Sequence, residues 1–328
     1  MKTIISSFIK YLLYSLIISL CSCFNSTQDI KEKERNFANN LIVSDTLEVK
    51  FPINDMQYYD GYLYVYDNSD KKLKKLDNNG GVLKTYGRMG QGPGEFNMMV
   101  AWEIDSLIKI ADSENLRISY LNKDDSLIQY FNLKKAFVRA VHLSKSKYLL
   151  KTFDSKGNQV AEMVDFEKGE SKYIETPIPK TNDGGFASDG LFVKLPNGNN
   201  LHISFWLSNF FCFDRDMNIL YQGNTIDRTS QAPKIVEGSL PKGVKPANFW
   251  ASANSKYFYV LSGIRTQGIT EQMFNDNRIV DVYSIQDGSY SHSYYLPNYK
   301  GRKAEVICVS EKGIYAMQGE FILYFKFE

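Results

Sequence analysis

A repeat of 45 residues constrains this chain more than any other feature it carries. Residues 67–83 (DNSDKKLKKLDNNGGVL) align without a gap to residues 112–128 (DSENLRISYLNKDDSLI). Asp67 falls on Asp112, Asp70 on Asn115, Lys72 on Arg117, Leu76 on Leu121 and Asp77 on Asn122. Each copy reads as a strand, a polar turn, a second strand, and another polar turn into a third strand. Asp and Asn suit such turns because their side chains hydrogen-bond the backbone two residues on and tolerate left-handed dihedrals. Short antiparallel strands with regularly spaced turns indicate a sandwich or a propeller, and a period of about 40–45 residues selects a propeller with four strands per blade.

The second turn can be followed further. It recurs at Asp77, Asn122, Asp165, Asp214 and Ser284, at intervals of 45, 43, 49 and 70 residues. Only the last interval holds extra loop. Three more strand patterns, at 304–309, 313–317 and 320–327, stop one strand short of a blade. Thr46–Phe51 is a strand pattern with no blade of its own. The economical solution is a ring in which the N-terminal strand completes the last blade, because closure removes exposed sheet edges. The expected fold is all-β: a six-bladed β-propeller of four-stranded antiparallel blades, closed by the N-terminal strand.

Between the first two blades, Gly87–Phe96 reads GRMGQGPGEF, and Ala111–Ile118 reads ADSENLRI. These segments resemble the G-R-x-G-x-G-P-G-E-F/Y connector and the D-x-x-N-x-R-I core of NHL-type propellers, in particular the six-bladed propeller lipoproteins of Bacteroidetes. The resemblance is specific in blades 1 and 2; the later blades keep the period and lose the Asp/Asn/Arg signature. It implies a surface or periplasmic binding protein. The connector is not a phosphate loop, since Pro93 interrupts it, no Lys-Ser/Thr follows, and the next segment reads as a strand. Arg88 and Glu95 are expected to tie it to neighbouring blades.

The N-terminus reads as a targeting segment. Lys2 and Lys10 precede and enter an apolar run, Tyr11–Leu20, that is too short to span a bilayer. Leu20-Cys21-Ser22-Cys23 resembles the bacterial lipobox, which implies a lipid on Cys23. The alternative is a cleaved signal without lipid. The expected organisation is a signal peptide at 1–22, a lipidated tether at 23–40 and the propeller at 41–328, at the bacterial cell envelope with the membrane as a partner through the lipid. Cys212 and Cys308 lie in apolar runs and read as buried thiols, with no zinc-like spacing.

With 39 basic and 37 acidic residues, the chain lacks the basic excess of nucleic-acid-binding domains. His142, His202 and His292 fall on strands at different distances from the ring axis, so they read as unrelated and not as ligands of one metal. First-strand positions that could face the axis are Asp55, Glu103, Arg139, Asp189, Asn248 and Glu305. Carboxylates there would suit calcium, as in lactonase-like six-bladed enzymes, but Arg139 would oppose a cation. No G-x-S-x-G elbow occurs. Two long insertions, 223–247 and 262–277, flank Phe249-Trp250, and loops of that length are often functional. Trp250, Arg139 and Trp206 are therefore the candidate ligand-binding residues. The expected function is a non-catalytic, envelope-anchored, monomeric binding module for a protein or glycan, without a cofactor. The alternative is a calcium-dependent lyase or hydrolase with an axial site.

Overall fold

Asx-type turns organise the sheets. Asp77 accepts from the amides of Asn79 and Gly81 at 2.8 Å, and Asn122 accepts from those of Asp124 and Ser126 at 2.9 Å. Asp214 does the same for Asp216 and Asn218 at 2.9 Å. Three residues past each anchor the backbone is left-handed, at Gly80, Asp125 and Met217. Every one of these turns joins the third strand of a blade to its fourth.

The computed structural model describes residues 34–38, 41–177, 185, 189–234 and 240–327; the expected signal segment and Cys23 lie outside these residues. Six four-stranded antiparallel sheets form the ring. Strand β1 (Ile42–Glu48) comes first in the chain and last in the ring. Blade 1 holds β2 (Ile53–Tyr59), β3 (Tyr62–Asp67), β4 (Lys72–Leu76) and β5 (Val82–Tyr86). A small parallel pair follows, β6 (Arg88–Met89) with β7 (Glu95–Phe96). Blade 2 holds β8 (Met99–Ile104), β9 (Ile108–Asp112), β10 (Arg117–Leu121) and β11 (Leu127–Asn132). Blade 3 holds β12 (Phe137–Ser144), β13 (Lys147–Phe153), β14 (Gln159–Asp165) and β15 (Glu170–Ile174). Blade 4 holds β16 (Gly190–Lys194), β17 (Asn200–Ser204), β18 (Asn209–Phe213) and β19 (Ile219–Asn224). Blade 5 holds β20 (Asn248–Ala253), β21 (Tyr257–Ser262), β22 (Asn277–Ser284) and β23 (Tyr290–Pro297). Its insertion carries one short helix, α1 (Glu271–Asp276), capped by the Thr270 hydroxyl, which accepts from the Met273 amide at 3.1 Å. Blade 6 holds β24 (Val306–Ser310), β25 (Gly313–Gln318) and β26 (Phe321–Lys326).

The middle strands are the most buried, and they read as nearly continuous apolar runs because both their faces pack on neighbouring blades. Tyr64 and Tyr66 of blade 1 thus share a core with Trp102 and Ile110 of blade 2. The fourth strands are mostly exposed. No helix among the described residues is long and apolar enough to cross a membrane.

Closure follows the expectation. β1 pairs antiparallel with β26, from Ile42 opposite Lys326 to Glu48 opposite Phe321. The strand starts four residues before the expected Thr46. It ends before Pro52, whose ring disfavours continued pairing.

The expected tether boundary needs correction. Residues 34–38 belong to the domain as a strap on the outer edge of blade 5. The Ser293 amide donates to the Asn36 carbonyl at 2.8 Å, and the Ala38 amide to the Ser293 carbonyl at 3.0 Å. The Phe37 ring stacks on Tyr295 with centroids 3.9 Å apart. Arg35 enters the blade fully buried. Its Nε and one Nη donate to the two oxygens of Asp281 at 2.7 and 2.9 Å. The remaining donors reach the Ile264 carbonyl at 3.0 Å and the Thr266 and Ser262 hydroxyls at 2.9 Å. All five guanidinium N–H groups are thereby used.

In a four-stranded antiparallel blade, the loops between second and third strands share a face of the ring with the connections between blades. We call this the connector face. The other, the turn face, carries the loops after first and third strands. Both long insertions and the Gly-rich connector lie on the connector face.

Candidate functional site: the axial channel

The six innermost strands, β2, β8, β12, β16, β20 and β24, enclose a cavity of about 670 Å³ on the ring axis. Four of them break register near their start, between Ile53 and Asp55, Met99 and Ala101, Phe137 and Arg139, and Asn248 and Trp250. A β-bulge inserts one residue and re-aims the side chains after it. The residues after the bulges, Asp55, Ala101, Arg139 and Trp250, all line the cavity toward the connector face.

Arg139 and Trp250, expected from sequence as ligand contacts, are thus brought to one rim. Arg139 donates to Asp189 at 3.1 Å and to the Gly190 carbonyl at 3.3 Å, and its guanidinium lies 5.5 Å from the Phe205 ring centre. Asp189 also accepts from Lys151 at 3.3 Å. Trp206, the third candidate, is not among the lining residues. It sits in the turn after β17, where its amide approaches the Ser204 hydroxyl at 3.4 Å, and its neighbour Phe205 faces the cavity instead.

Three of the six axial candidates do not line the cavity, Asp189 among them: it stands just before β16 and meets the rim only through Arg139. Asn248 lies before its bulge, so its side chain turns away from the axis and donates to the Ser204 and Leu207 carbonyls at 2.8 and 3.1 Å, stitching blade 5 to blade 4. Glu305 precedes β24, and it does not line the cavity.

Glu103 lies toward the turn face, in a cluster the sequence did not suggest. Lys109, from the second strand of blade 2, donates to Glu103 at 3.2 Å and to Asp105 at 2.6 Å, and lies 3.2 Å from His142 Nδ1. His142, read as unrelated to any site, also meets Glu103 at 3.3 Å. Its Nε2 faces the Lys145 carbonyl at 3.1 Å and must donate there, so Nδ1 accepts from Lys109 in the neutral ring and donates to Glu103 in the imidazolium. Burial works to raise the Glu103 pKa, but the His142 hydrogen bond and the Lys109 charge hold it below the usual range. The Lys109 ammonium stands between the two carboxylates that a calcium ion would need, so the axial calcium arrangement has no seat here. The other histidines lie apart: His202 is buried beside Phe192 and Phe211, and His292 lies on β23 beside Tyr294.

Asp55 is the most perturbed carboxyl in the channel. Burial pushes it up to about 7, and the Met56 amide offsets this only in part. The Trp102 indole N–H is near the carboxyl but closes no hydrogen bond of normal geometry. The carboxyl keeps some accessible surface, but that surface is the channel's own. An ionised Asp55 therefore costs the folded state, and the sign follows from linkage. The folded protein holds this proton more tightly than the unfolded chain, so the associated stability is complete below about pH 4 and is lost as pH rises through about 7. Asp55→Asn should match the parent below about pH 4 and exceed it progressively up to pH 8, by about 2 kcal/mol once solvent screening in an open channel is allowed for. Equal stability differences at both pH values would contradict the raised pKa.

The Gly-rich connector is structural. Arg88 pairs with Glu95 at 2.9 Å within the connector, not with a neighbouring blade as expected. Blade 2 holds it through Asn115, which donates to the Gly90 carbonyl at 2.9 Å, and Arg117, which donates to the Gly92 carbonyl at 2.6 Å. Gly90 has φ of 153°, and a Cβ there would collide with the Glu95 carboxylate.

Residues 40–222 match the model of the family DUF5128, described as a 6-bladed β-propeller. Solved structures with the same fold include a DUF4221 member from Bacteroides vulgatus, 13% identical, covering 90% of this chain and 99% of its own, with a TM-score of 0.58. A Bacteroides fragilis protein whose name places it among exported proteins is 11% identical, covering 87% of this chain and 86% of its own, with a TM-score of 0.55. The Cps50 (Swd1) β-propeller domain of the fungus Myceliophthora thermophila is 10% identical, covering 88% of this chain and all of its own, with a TM-score of 0.52. None of the curated proteins matches the sequence.

Proposed function

We propose, from the premise that this chain belongs to the DUF5128 family of six-bladed β-propellers, that it is a non-catalytic binding module of the bacterial envelope whose ligand is a glycan seated in the connector-face mouth of the axial channel. The observation that carries this reading is the convergence of Trp250 and Arg139, from blades 5 and 3, on one cavity. A cavity of about 670 Å³ falls in the size range of small-molecule sites. Trp250 and Phe205 offer flat apolar faces. Arg139 and Asp55 offer a donor and an acceptor at the same rim, and Asp55 can switch between the two roles near neutral pH. Aromatic faces beside such polar groups suit the alternating apolar and hydroxylated surfaces of a sugar ring. The lipobox resemblance at Cys23 supports anchoring, and the exported Bacteroides fragilis neighbour agrees with an envelope location.

The test has two arms. Purified protein is screened on a glycan array and positives are measured by calorimetry. Saturable binding is expected, weakened about tenfold or more in Trp250→Ala and in Arg139→Ala, with circular dichroism confirming that each variant stays folded. If no glycan binds, or if binding ignores both substitutions, the channel reading is wrong. In the second arm, Cys23→Ala should move the protein from the membrane to the soluble fraction, and an unchanged distribution would remove the anchor.

A further inference from the structure

A second cavity, of about 320 Å³, opens on the turn face where blade 1 meets blade 2. Three lysines line it: Lys75 from β4, Lys84 from β5, and Lys123 from the turn between β10 and β11. Tyr59, Tyr64 and Tyr86 complete most of the wall. The Lys123 Nζ is buried and has no hydrogen-bond partner. It lies over the rings of Tyr59 and Tyr64, at 4.6 and 5.7 Å from their centres. Lys75 Nζ sits 3.4 Å from the centre of the Tyr62 ring, and its charge opposes that of Lys123. Lys84 Nζ lies 5.6 Å from the Tyr86 ring centre.

The acidic groups nearby do not discharge this cluster. Asp60 lines the cavity but makes no hydrogen bond to Lys123. Asp105 acts on Lys123 only through its field, being bound to Lys109 at 2.6 Å. Asp124 meets Lys84 at 3.7 Å, but its carboxylate is largely exposed to solvent. Ring faces stabilise an ammonium only modestly, whereas burying one without a hydrogen-bonded partner costs more. Burial accordingly holds the Lys123 pKa below its usual value. Tyr64 and Tyr86 stand side by side in the wall, ring centres 6.3 Å apart, offering phenolic hydroxyls as further donors. Ring packing alone does not call for three ammonium groups here; an uncharged side chain of similar length would cover the same tyrosines.

We propose that this cavity is an oxyanion site that takes a tetrahedral phosphate or sulfate group, with Lys123, Lys75 and Lys84 donating to its oxygens. Charge-assisted hydrogen bonds of this kind are about twice as strong as neutral ones. Several ammonium groups around one small cavity favour a dianion over a singly charged carboxylate. The site faces away from the connector-face mouth, so it stands whether or not a glycan binds there.

Inorganic phosphate, inorganic sulfate, acetate, glucose 6-phosphate and glucose 6-sulfate are titrated by calorimetry at constant ionic strength set with chloride, with lysine ammonium shifts followed by NMR. Saturable binding of phosphate or sulfate is expected, about tenfold or more weaker in Lys123→Gln and in Lys75→Gln. Lys123→Arg, which keeps the charge, should bind within a few-fold of the parent, and Lys71→Gln, a half-buried lysine on the opposite face, should match it. Tighter binding of the sugar esters assigns the anion to a carried ester group; equal or tighter binding of the inorganic ions assigns it to the free ion. Binding that is absent above the chloride background, that survives both Lys→Gln changes, or that is as tight for acetate overturns the proposal.

Discussion

Arg35→Ala is expected to destabilise the propeller by about 3–5 kcal/mol, the range for removing one partner of a buried ion pair. The substitution leaves the Asp281 carboxylate buried inside blade 5 with only the Ser293 hydroxyl, at 2.6 Å, still donating to it. It also strips the hydrogen bonds that Arg35 gives to Ile264 and Thr266 at the start of the blade 5 insertion. Denaturant unfolding followed by Trp fluorescence measures the loss, and limited proteolysis should show earlier cutting in 263–276. The double change Arg35→Met with Asp281→Leu should recover part of the stability, because it removes the orphaned charge along with its partner. An Arg35→Ala protein within about 1 kcal/mol of the parent would show that the strap contributes little, against the burial and full hydrogen bonding of its guanidinium.

Deleting residues 42–48 is expected to abolish the cooperative melt altogether. These residues supply the whole fourth strand of blade 6. Without them the edge of β26 is unpaired along its length, and Leu47 no longer covers the core it shares with Ile322 and Val306. Blade 6 then has three strands, and an open sheet edge is a template for association between chains. Size exclusion and circular dichroism should find material that is more aggregated or less folded than the parent. A deletion protein with a parental melt would mean that ring closure is not what holds the blades together.

The fold was legible because its turns are chemical. Asp77, Asn122 and Asp214 each cap a turn with the same side-chain oxygen, so the turn survives even where the strands between have diverged. Strand identity was harder only at the ends: β1 was read four residues late because Val49 and Phe51 extend the apolar alternation past the last ladder pair. The channel was less legible. A bulge moves the axis-facing position from Asn248 to Trp250, and a one-residue shift exchanges the two faces of a strand, so reading by offset from the strand start fails there. Lys109 was missed for a different reason. It belongs to a second strand, and its length alone brings the ammonium to the axis beside Glu103 and Asp105. Phe205 was overlooked in favour of the larger Trp206 next to it, and nothing local distinguishes which of two adjacent turn aromatics faces inward. Arg35 stands in a run, KEKERN, that has every mark of solvated chain. Its burial depends on Asp281, 246 residues away, and no local pattern encodes that.

The strap also decides how the domain would bear force. β1 alone would be a zip fastener: tension applied at Ile42 would open its ladder with β26 one pair at a time, starting beside Lys326. The strap lies upstream of that point, so a pull from the N-terminal side is first borne by the Arg35 clamp and the Phe37–Tyr295 stack on blade 5. Five hydrogen bonds on one rigid guanidinium must give way nearly together, where a ladder yields in sequence. The ring is thus latched before it is zipped, and its mechanical threshold is set by one arginine on a different blade from the seam it protects.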